Sequence, residues 1–191
     1  MLVIVAKYTE NTDWIARLPA NVRRTVVFDK SPDGDCENVG REAETWVRAI
    51  CDLWDDLEAF KTVAFLQGHP FDHVDEETLM YELGRPERGG VTRHLCPLGV
   101  VLTADGVGRP HHPGLPVADK WKDLVGEYDD IDPSSASRTS WAFVAGAQYI
   151  VPTASIITRP LRFWQRLRDL LRTGWVCPWT AERFWLLLFS A

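Results

Sequence analysis

Three short apolar segments in the first third of the chain have the pattern of strands that are buried on both faces. They are residues 2–8 (LVIVAKY), 25–30 (TVVFDK) and 62–68 (TVAFLQG). Each is rich in β-branched or aromatic residues, and the intervals between them are long enough for crossover connections. Uninterrupted apolar runs of this kind are typical of parallel strands covered by helices. The pattern therefore predicts three parallel core strands.

A helical repeat of apolar residues lies between the second and third of these segments. In residues 38–60 (NVGREAETWVRAICDLWDDLEAF) the apolar positions recur at helical spacing, which indicates an amphipathic helix packed on the sheet. They are Ala43, Trp46, Val47, Ile50, Trp54 and Leu57. The alternation predicts the α/β class, with a largely parallel or mixed sheet flanked by helices. Ligands of such folds bind beyond the carboxyl ends of the strands.

The second half of the chain is less regular. Residues 84–140 are dense in glycine, proline and aspartate, as in GVGRPHHPGLP and DDIDPSSAS, and predict long ordered loops. The histidine pair in the first of these segments is predicted to be exposed to solvent. Residues 140–152 (SWAFVAGAQYIVP) then predict a strand-turn-strand or strand-loop unit.

Two helices are predicted to end the chain. The first has Thr158 as its N-cap, Pro160 in its first turn and Gly174 as the residue that stops it. The second is short and apolar, and Thr180 is predicted to cap it. Glu182 would then lie in the first turn of this helix. The helix dipole favours an acid there, which is a sufficient structural explanation for Glu182.

Composition narrows the class of protein. The 191 residues, 46% hydrophobic and 25% charged, suit one domain, and a formal net charge of −6 gives no general attraction to nucleic acid. The four cysteines include no C-x-x-C pair, so neither a zinc site nor a disulfide framework is indicated, and we expect a reduced, cytoplasmic protein. No apolar run approaches the ~20 residues of a membrane span, so no membrane anchor is expected.

Polar residues follow the first and second predicted strands. After the first strand, Tyr8, Glu10 and Asp13 are placed to meet a nucleotide, although turn formation alone also favours the segment TENTD. At the start of the predicted helix, Asn38 can cap and Arg41 adds positive charge to a helix end that attracts anions. The alternative is simple capping, with Arg41 paired to a neighbouring acid.

The third strand runs into the segment QGHPFDH. Its polar side chains, Gln67, His69, Asp72 and His73, are candidates to hold a sugar or a divalent cation. Oxygen ligands suit Mg²⁺ or Mn²⁺, whereas a His/His/Asp set suits zinc or iron. A metal-dependent hydrolase that also uses His94 or Cys96 is therefore one hypothesis.

A row of arginines lies on the predicted helix of residues 159–172. Such a row usually forms a solvated face, and the alternative is a docking surface for an anionic partner, including DNA or RNA. They are Arg159, Arg162, Arg166, Arg168 and Arg172.

Five segments, taken in chain order, resemble a known family. They are VIVAKYTENTDWI, NVGREAETWVRAI, VAFLQGHPFDH, GAQYIVPTASIITRPLRFWQRL and ERFWLLLF. The chain resembles the domain-of-unknown-function family 3431, whose members typically show R-Y-x-E-D-x-x-W, N-x-G-R-E-x-x-T-Y, F-L-Q-G-x-P-F-D-H, G-A-Q-F and E-R-x-W. That family is similar to nucleotide-sugar glycosyltransferases of the GT-A type. The resemblance covers nearly the whole chain, and Thr12 and Trp46 depart from it.

The resemblance implies a single GT-A-like, Rossmann-type sandwich over residues 1–191. Residues 1–83 would be its nucleotide-binding half and residues 84–191 its loop-rich acceptor-side half. The nucleoside diphosphate of a nucleotide-sugar donor would lie between the first loop and the NVGRE helix start. The residues implied are Tyr8, Glu10, Asp13, Asn38, Arg41 and Glu42.

The remaining roles follow from the other motifs of the resemblance. Gln67 and Gly68 would lie beside the donor, and Gln148 of GAQY would face the sugar or the acceptor. QGHPFDH replaces the acidic D-x-D metal motif of GT-A enzymes, which leaves open whether Asp72 and His73 hold a Mn²⁺ or Mg²⁺ ion. Glu182 of ERFW would be the general base that deprotonates an acceptor hydroxyl.

The function expected from the resemblance is sugar transfer from a nucleotide sugar to a hydroxyl acceptor. The acceptor could be a glycan, a small molecule or a hydroxymethylated DNA base, the last reached through the arginine-bearing helix. A non-catalytic module that binds carbohydrate or nucleotide is the alternative from another class.

Overall fold

The three predicted core strands are present and parallel. In the computed structural model, β1 (Leu2–Lys7) lies between β2 (Arg24–Asp29) and β3 (Thr62–Gln67). The last residues of β1 pair in register with the last residues of both neighbours. The three strands therefore end at one edge of the sheet, and the loops that follow them are brought together there.

Four shorter strands complete the β-structure of the described residues. They are β4 (Arg93–His94), β5 (Leu102–Asp105), β6 (Ser140–Phe143) and β7 (Tyr149–Pro152). β7 pairs antiparallel with β3, and β4 with β7, which gives a five-stranded mixed sheet of order β2-β1-β3-β7-β4. β5 and β6 form a separate antiparallel pair. The predicted α/β class with a mixed sheet is confirmed.

The structure describes five parts of the chain, residues 1–85, 90–95, 101–126, 138–146 and 148–190. Cys96 and the segment DDIDPSSAS lie outside them.

Seven α-helices are present in the described residues. They are α1 (Arg41–Asp52), α2 (Glu76–Gly84), α3 (Val117–Val125), α4 (Thr153–Ile157), α5 (Leu161–Arg172), α6 (Pro178–Glu182) and α7 (Trp185–Phe189). The described residues also contain three short 3-10 helices: Asp13–Arg17 between β1 and β2, and Trp54–Ala59 and Pro70–Asp72 between α1 and α2. The predicted amphipathic helix is therefore α1 followed by a 3-10 turn.

The predicted loop region contains regular structure that the sequence analysis missed. α3 buries Val117, Trp121, Leu124 and Val125, and their spacing is that of an amphipathic helix. The prediction of continuous loops is wrong for this segment, because the proline- and glycine-rich flanks concealed a short apolar repeat. The two strands predicted in residues 140–152 do form, but β6 pairs with β5 and β7 joins the main sheet.

Two of the predicted helix caps are wrong. Thr158 ends α4, and its hydroxyl donates to the carbonyl of Ser155, so that Pro160 is the N-cap of α5. Thr180 lies inside α6, whose N-cap is Cys177. Gly174, by contrast, follows the end of α5 with a φ of +74°, as predicted.

The sheet has an apolar core on each face. Ile4 and Phe65 contact the core formed with α1, α5 and α7. Val3, Val5 and Leu66 point the other way and pack with the buried side of α2. This alternation explains why the strands read as uninterrupted apolar runs.

Within the parts of the chain that the structure describes, no helix has both the length and the apolar character needed to cross a membrane.

Candidate functional site

A cleft of about 430 Å³ opens at the edge where β1, β2 and β3 end. It is lined by the residues that follow these strands and by the start of α1. They are Ala6, Lys7, Tyr8, Glu10, Lys30, Asn38, Arg41, Glu42, Gln67, His69, Asp72 and His73. The structure thus brings most of the predicted donor-site residues into one cleft. Asp13, Gly68, Gln148 and Glu182 are not among the lining residues.

Lys30 is a buried cation in the floor of this cleft that the sequence analysis did not identify. Its ammonium group donates to the carbonyls of Val39 (2.7 Å) and Arg41 (2.8 Å) and to Oε2 of Glu44 (2.8 Å). The side chains of Lys30 and Glu44 are 4% and 0% exposed. Burial lowers the pKa of Lys30, and the Glu44 carboxylate opposes this effect. A lysine directly after an apolar strand was the available signal.

The two carbonyls that Lys30 holds belong to an unusual turn at the start of α1. Gly40 is the N-cap with a φ of +62°, and Arg41 has a φ of +51°. A residue other than glycine pays roughly 1–2 kcal/mol in this left-handed region. Asn38 was predicted as a possible cap, but no side chain caps this helix. Lys30 therefore stabilises a strained turn that presents Arg41 to the cleft.

The Arg41 side chain extends from this turn towards solvent. It is 60% exposed, and its Nε lies 3.5 Å from a carboxylate oxygen of Glu42. Its guanidinium also lies 5.7 Å from the ring centroid of Trp179, a half-exposed residue of α6. The predicted pairing with a neighbouring acid is thus present, but it is long and solvated, so Arg41 can turn towards an anion.

Lys7 and Asp29 form a second ion pair at the strand ends. Their side chains are both 27% exposed. The bond from Lys7 lowers the pKa of Asp29 to about 2. Asp29 is therefore ionised at neutral pH, and the charge of Lys7 is largely compensated.

The first loop divides into a part that meets the cleft and a part that only forms a turn. Tyr8 is exposed, and its N–H donates to Oε2 of Glu10 (2.6 Å). The same oxygen lies close to Gly68, where an added Cβ would come within 2.8 Å of it. Asp13 instead bonds with Asn11 through its own N–H and carboxylate. Asp13 therefore forms the turn that the alternative interpretation predicted, and it does not line the cleft.

Gln148 lies behind the cleft rather than in it. It is fully buried, its Oε1 accepts from the N–H of Gln67 (3.1 Å), and its Nε2 donates to the carbonyl of Pro70 (3.1 Å). Both ends of the amide are thus used to join β3, β7 and the QGHPFDH segment. We expect Gln148 to position Gln67 rather than to face a sugar.

The QGHPFDH segment contains a 3-10 turn at Pro70–Asp72 and contributes His69, Asp72 and His73 to the lining of the cleft. His69 and Asp72 approach within 3.7 Å, and both are well exposed. In the described residues no three His, Cys, Asp or Glu side chains gather in a metal-binding arrangement. His94, on the edge strand β4, is not among the residues that line the cleft. A cation at Asp72 and His73 therefore stays a prediction, and it would need ligands from the substrate.

Glu182 lies beside the cleft at the carboxyl end of α6. Its side chain is 15% exposed, Oε1 accepts from the N–H of Gly146 (3.2 Å), and Oε2 pairs with the guanidinium of Arg183. Burial raises the pKa of Glu182, and the negative charge of Glu42 adds to this, whereas Arg183 and the Gly146 N–H oppose it. The predicted first-turn position is wrong, so the helix dipole does not explain an acid here.

Gly146 connects Glu182 with the cleft wall. An added Cβ at this position would lie 2.6 Å from Cγ of His73, and the φ of Gly146 is +85°. The glycine therefore lets the chain pass against the imidazole while its N–H points to Glu182.

Gly146→Ala is expected to destabilise the protein by about 2–4 kcal/mol, since the left-handed φ and the steric overlap with His73 both cost free energy. Gly174→Ala is the matched control, with a φ of +74° and no atom within 4 Å of the added Cβ. It should lose only about 1–2 kcal/mol. Urea unfolding of both variants measures the difference, and equal losses would contradict a rigid contact between Gly146 and His73.

Three arginines near or on α5 make contacts within the chain. Arg159 donates to the carbonyls of Leu187 and Leu188, Arg168 to Asp52, and Arg172 to Glu37. A nucleic acid at this helix would have to compete with these contacts, so the predicted docking surface gains no support from them.

A larger cavity, about 640 Å³, lies at the other end of the sheet, where β3 begins and β7 ends. None of the predicted site residues lines it.

No family model, curated protein or solved structure matches this chain. The geometry of the cleft and the motifs of the sequence are therefore the features that indicate a function.

Proposed function

We propose that the chain is a glycosyltransferase that moves a sugar from a nucleotide-sugar donor to a hydroxyl acceptor. The observation that carries the proposal is a polar cleft at the ends of three parallel strands with a shielded carboxylate, Glu182, at its side. Gly146 links the two, because it donates to Glu182 and packs against His73 of the cleft wall.

Arg41 is the cation best placed to meet the diphosphate of a donor. Lys7 and Lys30 already pair with Asp29 and Glu44, whereas Arg41 is exposed and only loosely paired. It also stands at the start of α1, a helix of 12 residues whose dipole favours an anion. Tyr8 lies exposed at the same cleft and offers a ring on which a base can stack.

Glu182 has the properties of a general base for this reaction. Its raised pKa moves it towards neutrality, where a carboxylate accepts a proton more effectively. In a single displacement the acceptor oxygen would bond to the anomeric carbon as its proton passes to Glu182. The bond from that carbon to the nucleoside diphosphate would break, and the diphosphate would leave with the electron pair.

A divalent cation is not a required part of this scheme. Asp72 and His73 offer only two protein ligands, so a Mn²⁺ or Mg²⁺ ion would bind there together with phosphate oxygens and would neutralise the leaving group. The fit of the chain's own residues to a cation is incomplete, and no step above depends on one.

The motif resemblance to family 3431 supports the same reading, since its implied donor residues largely coincide with the cleft. Tyr8, Glu10, Arg41 and Gln67 all line it. We also propose that this α/β fold is of the GT-A type.

A thermal-shift panel of nucleoside diphosphates and nucleotide sugars, each with Mn²⁺ and with chelator, tests the donor site. A ligand at ~100 times its dissociation constant should stabilise the native state by about 2.7 kcal/mol. Arg41→Ala should reduce this shift, whereas Arg24→Ala should not, since Arg24 pairs with Asp56 away from the cleft. The absence of any shift in the parent protein would contradict the donor site.

The same panel separates transfer from simple binding. Stabilisation by one nucleotide sugar without donor consumption, across glycan, small-molecule and hydroxymethylated-DNA acceptors, would favour the non-catalytic module. Nucleoside diphosphate released only when an acceptor is present would support the transferase.

A further inference from the structure

Arg183 occupies an unusual position next to the proposed base. It is fully buried, and its guanidinium lies 4.0 Å from the ring centroid of Phe143. Nη1 donates to the carbonyl of Trp179 (2.8 Å) and to Oε2 of Glu182. Its other terminal nitrogen, Nη2, lies 2.7 Å from Nδ1 of His112. Contacts on three sides therefore fix the plane of the guanidinium.

The chemistry of the two groups decides the direction of the last contact. A guanidinium has only donors and stays protonated in proteins, so Nδ1 of His112 must be the acceptor. The imidazole is then neutral, with its proton on Nε2. A protonated imidazole would place an N–H and a positive charge against Arg183, and the contact would open.

We propose that Arg183 and His112 are a positioning pair for the Glu182 carboxylate: Arg183 holds Oε2, and His112 fixes the orientation of Arg183 by accepting from Nη2. This inference rests on the proposed role of Glu182 as base. Among the described residues, the hydrogen bonds and ring contacts of the His112 side chain include none to Glu182, and His112 does not line the cleft, so it acts through Arg183. Its ring stacks on Trp179, with 6.2 Å between the ring centroids, which holds the imidazole against the first turn of α6.

The surroundings of this pair favour the neutral form of His112. His112 is an exposed residue, but its partial desolvation lowers its pKa, and the charges of Arg183 and His111 lower it further. The charges of Glu182 and Cys177 favour the protonated form of Arg183, against the effect of burial on its pKa. The charge of Glu42 on α1 raises the pKa of Glu182. Because Arg183 opposes the rise in the pKa of Glu182, losing its fixed orientation should raise that pKa further.

The test is a titration of the Glu182 carboxyl carbon by NMR, with the signal assigned from Glu182→Gln. His112→Ala removes the acceptor and should shift the Glu182 midpoint to higher pH. His112→Asn keeps an acceptor near the position of Nδ1 and should restore the parent midpoint. His111→Ala is the matched control, because it removes the neighbouring imidazole, which contacts Phe143, and leaves His112 in place as the acceptor of Arg183.

Turnover provides the second measurement. If the parent transfers sugar, His112→Ala should lower kcat roughly 10- to 100-fold through misplacement of the base, and His112→Asn should recover most of it. An unchanged Glu182 midpoint in His112→Ala would overturn the positioning role even if the parent is a transferase. A shifted midpoint in a parent without turnover would support the positioning role while contradicting the proposed function.

Discussion

Glu182→Gln is expected to lower sugar transfer by about 10²- to 10⁴-fold, the range that a positioned general base contributes. Glutamine keeps the size of the side chain and an oxygen that can accept from Gly146, but it cannot take a proton from the acceptor. Nucleotide-sugar binding should change little, because Glu182 does not line the cleft at the strand ends. The loss should therefore appear in kcat more than in the stabilisation by nucleotide.

The pH dependence of sugar transfer by the parent protein would be an independent test of this proposed role. Glu182 must be ionised to act as a base, so activity should fall as pH drops through its pKa. Since burial raises that pKa, the acid limb should lie above the ordinary range of a glutamate. Glu182→Gln should remove this limb from the residual activity.

A suitable control is Glu77→Gln, a change to an exposed carboxylate on α2. It should leave transfer as in the parent. Full activity of Glu182→Gln would show that another group accepts the proton, and the base would then have to be sought among the other residues near the acceptor.

The strands and α1 could be predicted because their signals are local. β1 and β3 are apolar over their whole length, and α1 repeats its apolar residues every three to four positions. From the parallel order it followed that polar residues after separate strands would share one edge. This is why Tyr8, Arg41 and Gln67 could be expected at one cleft.

The features that were missed depend on contacts between distant parts of the chain. Arg183 and His112 are 71 positions apart, and nothing in the loop GVGRPHHPGLP indicates its partner. Gln148 was expected to face the sugar or the acceptor because GAQY resembles a family motif, and that resemblance did not indicate its bond to Gln67, 81 positions away. The dipole explanation for Glu182 failed because α6 and α7 were read as one helix.

Lys30→Met is expected to destabilise the native state by about 3–5 kcal/mol, the cost of leaving a buried charge without its partner. Glu44 is fully buried, and after the change its remaining cations would be Arg168 and Arg172, at 3.5 and 3.6 Å. The carbonyls of Val39 and Arg41 would also lose their donor, which should loosen the turn that presents Arg41 and weaken nucleotide binding.

Lys7→Met is the matched control for Lys30→Met, because it removes the same group from an ion pair that is 27% exposed on both sides. Water reaches both partners of this pair, so losing Lys7 should cost much less than leaving the fully buried Glu44 without Lys30, and the control should lose far less in urea unfolding. The double change Lys30→Met with Glu44→Leu should recover part of the loss, since no unpaired charge would then be buried.

Equal stabilities of Lys30→Met and Lys7→Met would show that the arginines of α5 are sufficient to compensate the charge of Glu44. If instead Lys30→Met is the weaker variant and the double change does not recover, the donors to Val39 and Arg41 matter more than the charge, and the strained turn of α1 is what Lys30 chiefly stabilises.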